Sequence, residues 1–93
     1  MHDWTLRSIS VDLEVGNVIF HLRDSRSERV ELKAFDFVEL HVPRTLDWGP
    51  SCSVNNCEGP IDTADGKQKL IVELQSGHRL SIIASQIKIP DDD

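Results

Sequence analysis

Apolar and polar residues alternate along most of this chain with a period of two, the spacing of strands that turn one face to a core and the other to water. Thr5 to Val15 opens the pattern, with Ile9, Val11, Leu13 and Val15 on one parity and Ser8, Ser10, Asp12 and Glu14 on the other. Trp4 and Leu6 carry the opposite parity, which predicts a bulge near Arg7-Ser8 that brings both registers to the core. Gly16-Asn17 predicts a hairpin, because both residues tolerate positive φ. Asn17 to Arg23 then returns with Val18, Phe20 and Leu22 inward.

The polar run Asp24 to Glu28 connects to a third strand, Arg29 to Phe35, which faces the core through Val30, Leu32 and Ala34. Ser25 and Glu28 have the spacing of a helix capping box, but the period-two alternation that follows favours a strand. Between Phe35 and Phe37 the only turn-former is Asp36, so the third and fourth strands can also be one long bent strand. The fourth presents Val38, Leu40 and Val42 and stops at Pro43, which has no amide hydrogen for a ladder. Pro43 to Ser51 holds Trp48 between prolines, an aromatic corner before a short strand from Cys52 to Asn56. Glu58-Gly59-Pro60 and Asp62 to Gly66 read as irregular chain. Lys67 to Gln75 faces in through Leu70, Val72 and Leu74, Ser76-Gly77 turns, and His78 to Ile89 closes the sheet through Leu80, Ile82 and Ala84.

No window has helical periodicity. The expected fold is all-β: a small antiparallel β-sandwich or partly open barrel of about six to eight strands with little or no helix. Residues 1–90 form one β domain in this scheme, and Asp91, Asp92 and Asp93 form a disordered acidic tail. Ninety-three residues are too few for two independent cores. No apolar run approaches the length of a membrane span, and the start of the chain lacks the basic and apolar regions of a signal peptide, so a cytoplasmic location is expected.

A net charge of −6 argues against general nucleic-acid binding, which needs basic surface to neutralise phosphates. The excess is local: residues 45–66 contain Asp47, Glu58, Asp62 and Asp65 and no Lys or Arg. Such a segment is either a solvated loop or a surface that steers a basic partner. Ile19, Phe35, Phe37, Ile71 and Ile83 lie on outward parities, and apolar side chains of this size gain from being covered. A homodimer that uses this face is one solution.

Four histidines and two cysteines are the remaining chemistry. His2, His21, His41 and His78 could ligate a metal or serve acid-base catalysis if they converged, but no pair shares a strand at the spacing that would require it, and partly exposed surface imidazoles account for them better. His2 beside Asp3 has the pairing of an oriented imidazole, set against Trp4 as a plain strand anchor. Cys52 and Cys57 can be bridged only if a turn such as Asn55-Asn56 intervenes, and a reducing compartment favours free thiols. The acidic surroundings disfavour a nucleophilic thiolate. Ser51 lacks the glycine frame of a hydrolase elbow, and Asp62 to Gly66 lacks the third ligand and the distal glutamate of a calcium loop. No catalytic residue, metal site or cofactor is therefore assigned. Trp48, flanked by Asp47 and Gly49-Pro50, suits either a recognition aromatic or a lid over the sheet's open end.

His2-Asp3-Trp4-Thr5-Leu6, the glycine-centred hairpin, and Trp48-Gly49-Pro50-Ser51 followed by Ser53-Val54-Asn55 resemble a group of small uncharacterised bacterial β-proteins. Some similar chains are immunity proteins of polymorphic toxin systems, which neutralise a toxin by binding it. The resemblance implies a bacterial cytoplasmic protein that binds rather than catalyses. Two functional expectations follow. One is a non-catalytic protein-binding module, of the immunity type, that meets a basic toxin or similar protein through Asp47, Trp48, Glu58, Asp62 and Asp65. The other is a small enzyme or metal protein built on the histidines, and a structural homo-oligomeric subunit stands beside both.

Overall fold

The computed structural model describes residues 3–43 and 53–90, which form an all-β fold with no helix among them. The strands are β1 (Thr5–Asp12), β2 (Asn17–Arg23), β3 (Arg29–His41), β4 (Val54–Asp62), β5 (Gln68–Leu74) and β6 (Arg79–Lys88). They pair antiparallel in one six-stranded sheet of order β1-β2-β3-β6-β5-β4. No helix among the described residues is long and apolar enough to cross a membrane.

The thirteen residues of β3 hold the sheet's two halves together. Its first part, Arg29 to Ala34, pairs with β2, and its later part, Lys33 to His41, pairs with β6. Asp36 has φ 56° at the changeover, and the register slips between Phe37 and Glu39. Aspartate is among the few side chains that enter the left-handed region readily, so it bends the strand without a glycine. The long bent strand that Asp36 left open is therefore the one that forms.

Coiling brings the outer strands together at their beginnings. The Val54 amide donates to the Trp4 carbonyl (2.7 Å), the Asp3 amide donates to the Val54 carbonyl (2.9 Å), and Thr5 bridges Ser53. The seam is short, and the sheet is a partly open barrel rather than a closed one. Trp4 and Val54 are buried there beside Phe20, Leu22, Leu32, Leu70, Leu80 and Ile82 in one apolar cluster. No polar or charged side chain among the described residues is buried with them.

The predicted bulge in β1 is present, as a register shift between Leu6 and Ser8. Inward parities in β2, β5 and β6 also match, with Val18, Phe20, Leu22, Leu70, Val72, Leu74, Leu80, Ile82 and Ala84 all buried. Three expectations are corrected. First, β1 ends at Asp12, whose carboxylate accepts the amides of Glu14 and Val15 (3.1 Å each) and curls the chain into a turn. Ile9 packs against the core, but Val11, Leu13 and Val15 are exposed. Second, the bend at Asp36 brings Phe37 onto the core, and the register shift between Phe37 and Glu39 leaves Val38 as the extra, exposed residue; Leu40 packs against the core as expected, and Val42, beyond the end of β3, is exposed. Third, Glu58-Gly59-Pro60 is not irregular chain but part of β4, where the register shifts between Glu58 and Ile61 and the Gly59-Pro60 bond is cis. The Cys52 to Asn56 strand is thus the start of a longer one, with Cys52 itself outside the described residues.

Candidate functional site

The most exposed large apolar side chain among the described residues is Leu13, at 80 %, followed by Val15 at 61 % and Val38 at 58 %. Local chemistry puts the first two there. Asp12 caps its own turn, Gly16 adopts φ 87°, and the Gly16 amide donates to the Asp12 carbonyl (2.8 Å), so Leu13 to Val15 project at the hairpin tip. That tip is fixed to the bend of β3, since the Phe37 amide donates to the Gly16 carbonyl (2.9 Å). Val15 precedes one partner of this bond and Val38 follows the other. The result is an apolar knob on a hydrogen-bonded frame.

Carboxylates rim it. Asp12, Glu14, Asp36 and Glu39 are all exposed, and residues 8–22 and 34–43 contain no Lys or Arg. Asp12 spends one oxygen on the turn. Exposed apolar side chains among polar ones are a composition that protein contact surfaces use.

The acidic residues expected to meet a partner fall elsewhere. Asp47 and Trp48 lie outside the described residues. Glu58 lies on β4 and pairs with Arg79 (3.3 Å), both side chains about half exposed. Asp62 is exposed at the end of β4, and Asp65 lies in the turn that follows. The Thr63 hydroxyl donates to the Asp65 carboxylate, and this bond is the first cause that holds the carboxyl below its ordinary range. The same Thr63 oxygen accepts the Lys67 amide (3.1 Å), so the Asp62 to Gly66 segment is a self-satisfied turn.

Of the outward apolar residues, Phe37 belongs to the core side, for the reason given above. Ile19, Phe35, Ile71 and Ile83 are half-buried under polar neighbours. Ile19 lies between Ser10 and Lys33, Ile71 between Glu58 and Ser81, and Ile83 between Glu39 and Lys69. Phe35 has the Lys88 ammonium 5.8 Å from its ring centroid. Long charged side chains cover apolar surface with their stems, so this face is less bare than its sequence implies.

His21 lies on the outward face of β2, with Ser10 Oγ 2.9 Å from Nε2 and Glu31 Oε2 3.5 Å from Nδ1. His78 Nδ1 is 2.8 Å from Ser76 Oγ, His41 is exposed at the end of β3, and His2 lies outside the described residues. Among the described residues no three His, Cys, Asp or Glu side chains form a group able to hold a metal ion. Cys57 is a free thiol packed against the core, and burial, with Glu58 beside it, pushes its pKa up. Its suggested bridge to Cys52 lies outside the described residues.

The knob was not singled out in the sequence, because period-two alternation assigns Val11, Leu13 and Val15 to the core. The signal that could have found it is Asp12, two and three residues ahead of amides it can capture. Comparisons with protein-family models, with curated proteins and with solved structures find no match to this chain.

Proposed function

We propose that this protein is a non-catalytic, cytoplasmic protein-binding module that meets a basic protein surface through the hairpin knob, as an immunity-type inhibitor meets its toxin. The observation that supports this is the knob itself: Leu13, Val15 and Val38 exposed on a pinned frame, within Glu14, Asp36 and Glu39. Apolar side chains held out by hydrogen bonds lose little further freedom on binding, so their burial adds to affinity with a small entropic cost. The acidic rim would speed encounter with a cationic partner and disfavour acidic ones. Glu58, Asp62 and Asp65 extend the same sign of charge along the β4–β5 hairpin, so Asp47 and Trp48 need not act alone.

The test is affinity capture from the source cell with the full chain, with identification of what is retained. Two variants accompany the wild type: Leu13→Asp with Val15→Asp, and Glu14→Lys with Asp36→Lys. A basic protein held by the wild type, released by moderate salt and lost from both variants is the expected result. Equal retention of that protein by all three chains overturns the assignment. Light scattering on the wild type reports separately on the homodimer: a dimer that the aspartate pair converts to monomer would make the knob a self-association surface instead.

A further inference from the structure

The opposite end of the same three strands carries the opposite charge. Between the start of β1, the end of β2 and the start of β3 lies a cleft of about 620 Å³ lined by Arg7, Arg23, Arg29, His21, Ser8 and Glu31. Three of the chain's arginines thus line one open depression in a protein of net charge −6. Arg23 and Arg29 are directly opposed in the β2–β3 register, an arrangement in which like charges destabilise a strand pair. Arg7 is the extra residue of the β1 bulge, between Leu6 opposite Leu22 and Ser8 opposite His21, and is exposed there.

The compensation expected for such charges is missing among the described residues. Among the described residues Arg7 and Arg29 have no carboxylate partner. Arg23 donates from Nη1 to the Ser27 carbonyl (3.0 Å), which anchors its guanidinium and leaves further N–H groups free to donate. Glu31, the one acid of the cleft, is shared between His21 (3.5 Å) and Lys33 (3.7 Å).

We propose that this cleft binds the phosphate group of a small phosphorylated molecule. A carboxylate offers two oxygens and satisfies one guanidinium fork, whereas a phosphate monoester offers three terminal oxygens and two negative charges, which match three arginines on three strands. The Ser8 hydroxyl supplies a neutral donor beside them. The cleft volume falls in the range of small-molecule sites, large enough for a sugar phosphate or a nucleotide. Repulsion between Arg23 and Arg29, a cost in the free chain, becomes part of the attraction once a dianion lies between them.

The test is a titration of the full chain, followed by amide NMR shifts in phosphate-free, low-salt buffer, with inorganic phosphate, ribose 5-phosphate, AMP and, as a control, acetate. Saturable shifts at Arg7, Ser8, Arg23 and Arg29 with the phosphates and not with acetate are expected. Arg7→Gln and Arg29→Gln each weaken binding about tenfold, the worth of one charge-assisted bond. Both side chains are exposed, so these variants keep the fold, which circular dichroism checks. Glu31→Gln tightens binding, and Lys69→Gln, outside the cleft, leaves it unchanged. AMP binding tighter than ribose 5-phosphate supports the proposal and assigns a nucleotide; equal binding supports it with the phosphate as the only group read. Binding that acetate reproduces, that Lys69→Gln weakens as much, or that survives both arginine variants overturns it.

Discussion

Trp4 is where the sheet's outer strands, β1 and β4, are held together, and its removal gives the sharpest test of the architecture. The side chain is 1 % exposed, packed in the core cluster with Val54, while its backbone carbonyl accepts the Val54 amide. Trp4→Ala leaves that hydrogen bond available and deletes only the packing. A buried tryptophan covers ~150–250 Å², which at ~25 cal/mol per Å² corresponds to about 4–6 kcal/mol. Measured Trp and Phe to Ala changes in cores cost ~3–5 kcal/mol, in agreement. A chain of this length has a total stability of about 5–14 kcal/mol, so one substitution removes between a quarter and nearly all of it. Urea unfolding followed by far-ultraviolet circular dichroism, which avoids the signal of Trp48, measures the loss. At an m-value of ~2 kcal/mol per molar, a 4 kcal/mol loss lowers the midpoint by ~2 M. Trp4→Phe should recover more than half of it. A midpoint shift below ~0.5 M for Trp4→Ala, equivalent to about 1 kcal/mol, would show that the seam contributes little and that the outer strands are held by something else.

Two further outcomes follow from turn and edge chemistry. At Gly59, with φ 108°, an added Cβ would lie 2.6 Å from the Lys69 carbonyl oxygen and 2.9 Å from the Ile61 amide nitrogen, whereas at Gly77, with φ 93°, it would meet nothing within 4 Å. Thermal melts should therefore show Gly59→Ala losing about 2–3 kcal/mol and Gly77→Ala about 1 kcal/mol, and equal losses would contradict the close approach. Thr63→Ala should raise the Asp65 carboxyl toward the ordinary ~3.9, read by NMR titration of that carboxyl. Because the folded-state value is lowered, the wild-type contribution is present above the unfolded pKa and disappears as pH falls through the folded one, so the stability gap between wild type and variant should close at the lowest pH. An unchanged Asp65 titration in Thr63→Ala would refute the bond.

Alternation in β2, β5 and β6 was enough to assign inward Val18, Phe20, Leu22, Leu70, Val72, Leu74, Leu80, Ile82 and Ala84, because burial on one face imposes a strict period on a paired strand. The β1 bulge was equally legible, since two apolar parities within one strand can reach a single core only by adding a residue. What alternation cannot convey is where a strand stops or slips. Asp12 ends β1 by capturing two amides, and the register shift between Phe37 and Glu39 leaves Val38 as an extra residue, so Leu13, Val15 and Val38 are exposed where alternation assigns them to the core. Both events depend on hydrogen bonds that compete with the ladder over a few residues, and hydrophobic pattern is blind to them.

The cationic cleft shows the same division more sharply. Arg7, Arg23 and Arg29 were visible as separate charges within segments of nearly balanced composition, and nothing in their spacing joined the first to the others. The chain by itself determined an all-β sheet and most of its core, because those follow from local periodicity and the free energy of burying apolar side chains. Only the tertiary structure decided which charges and which uncovered apolar groups share a surface, because that depends on register between strands distant in sequence, where a shift of one residue turns a side chain to the other face.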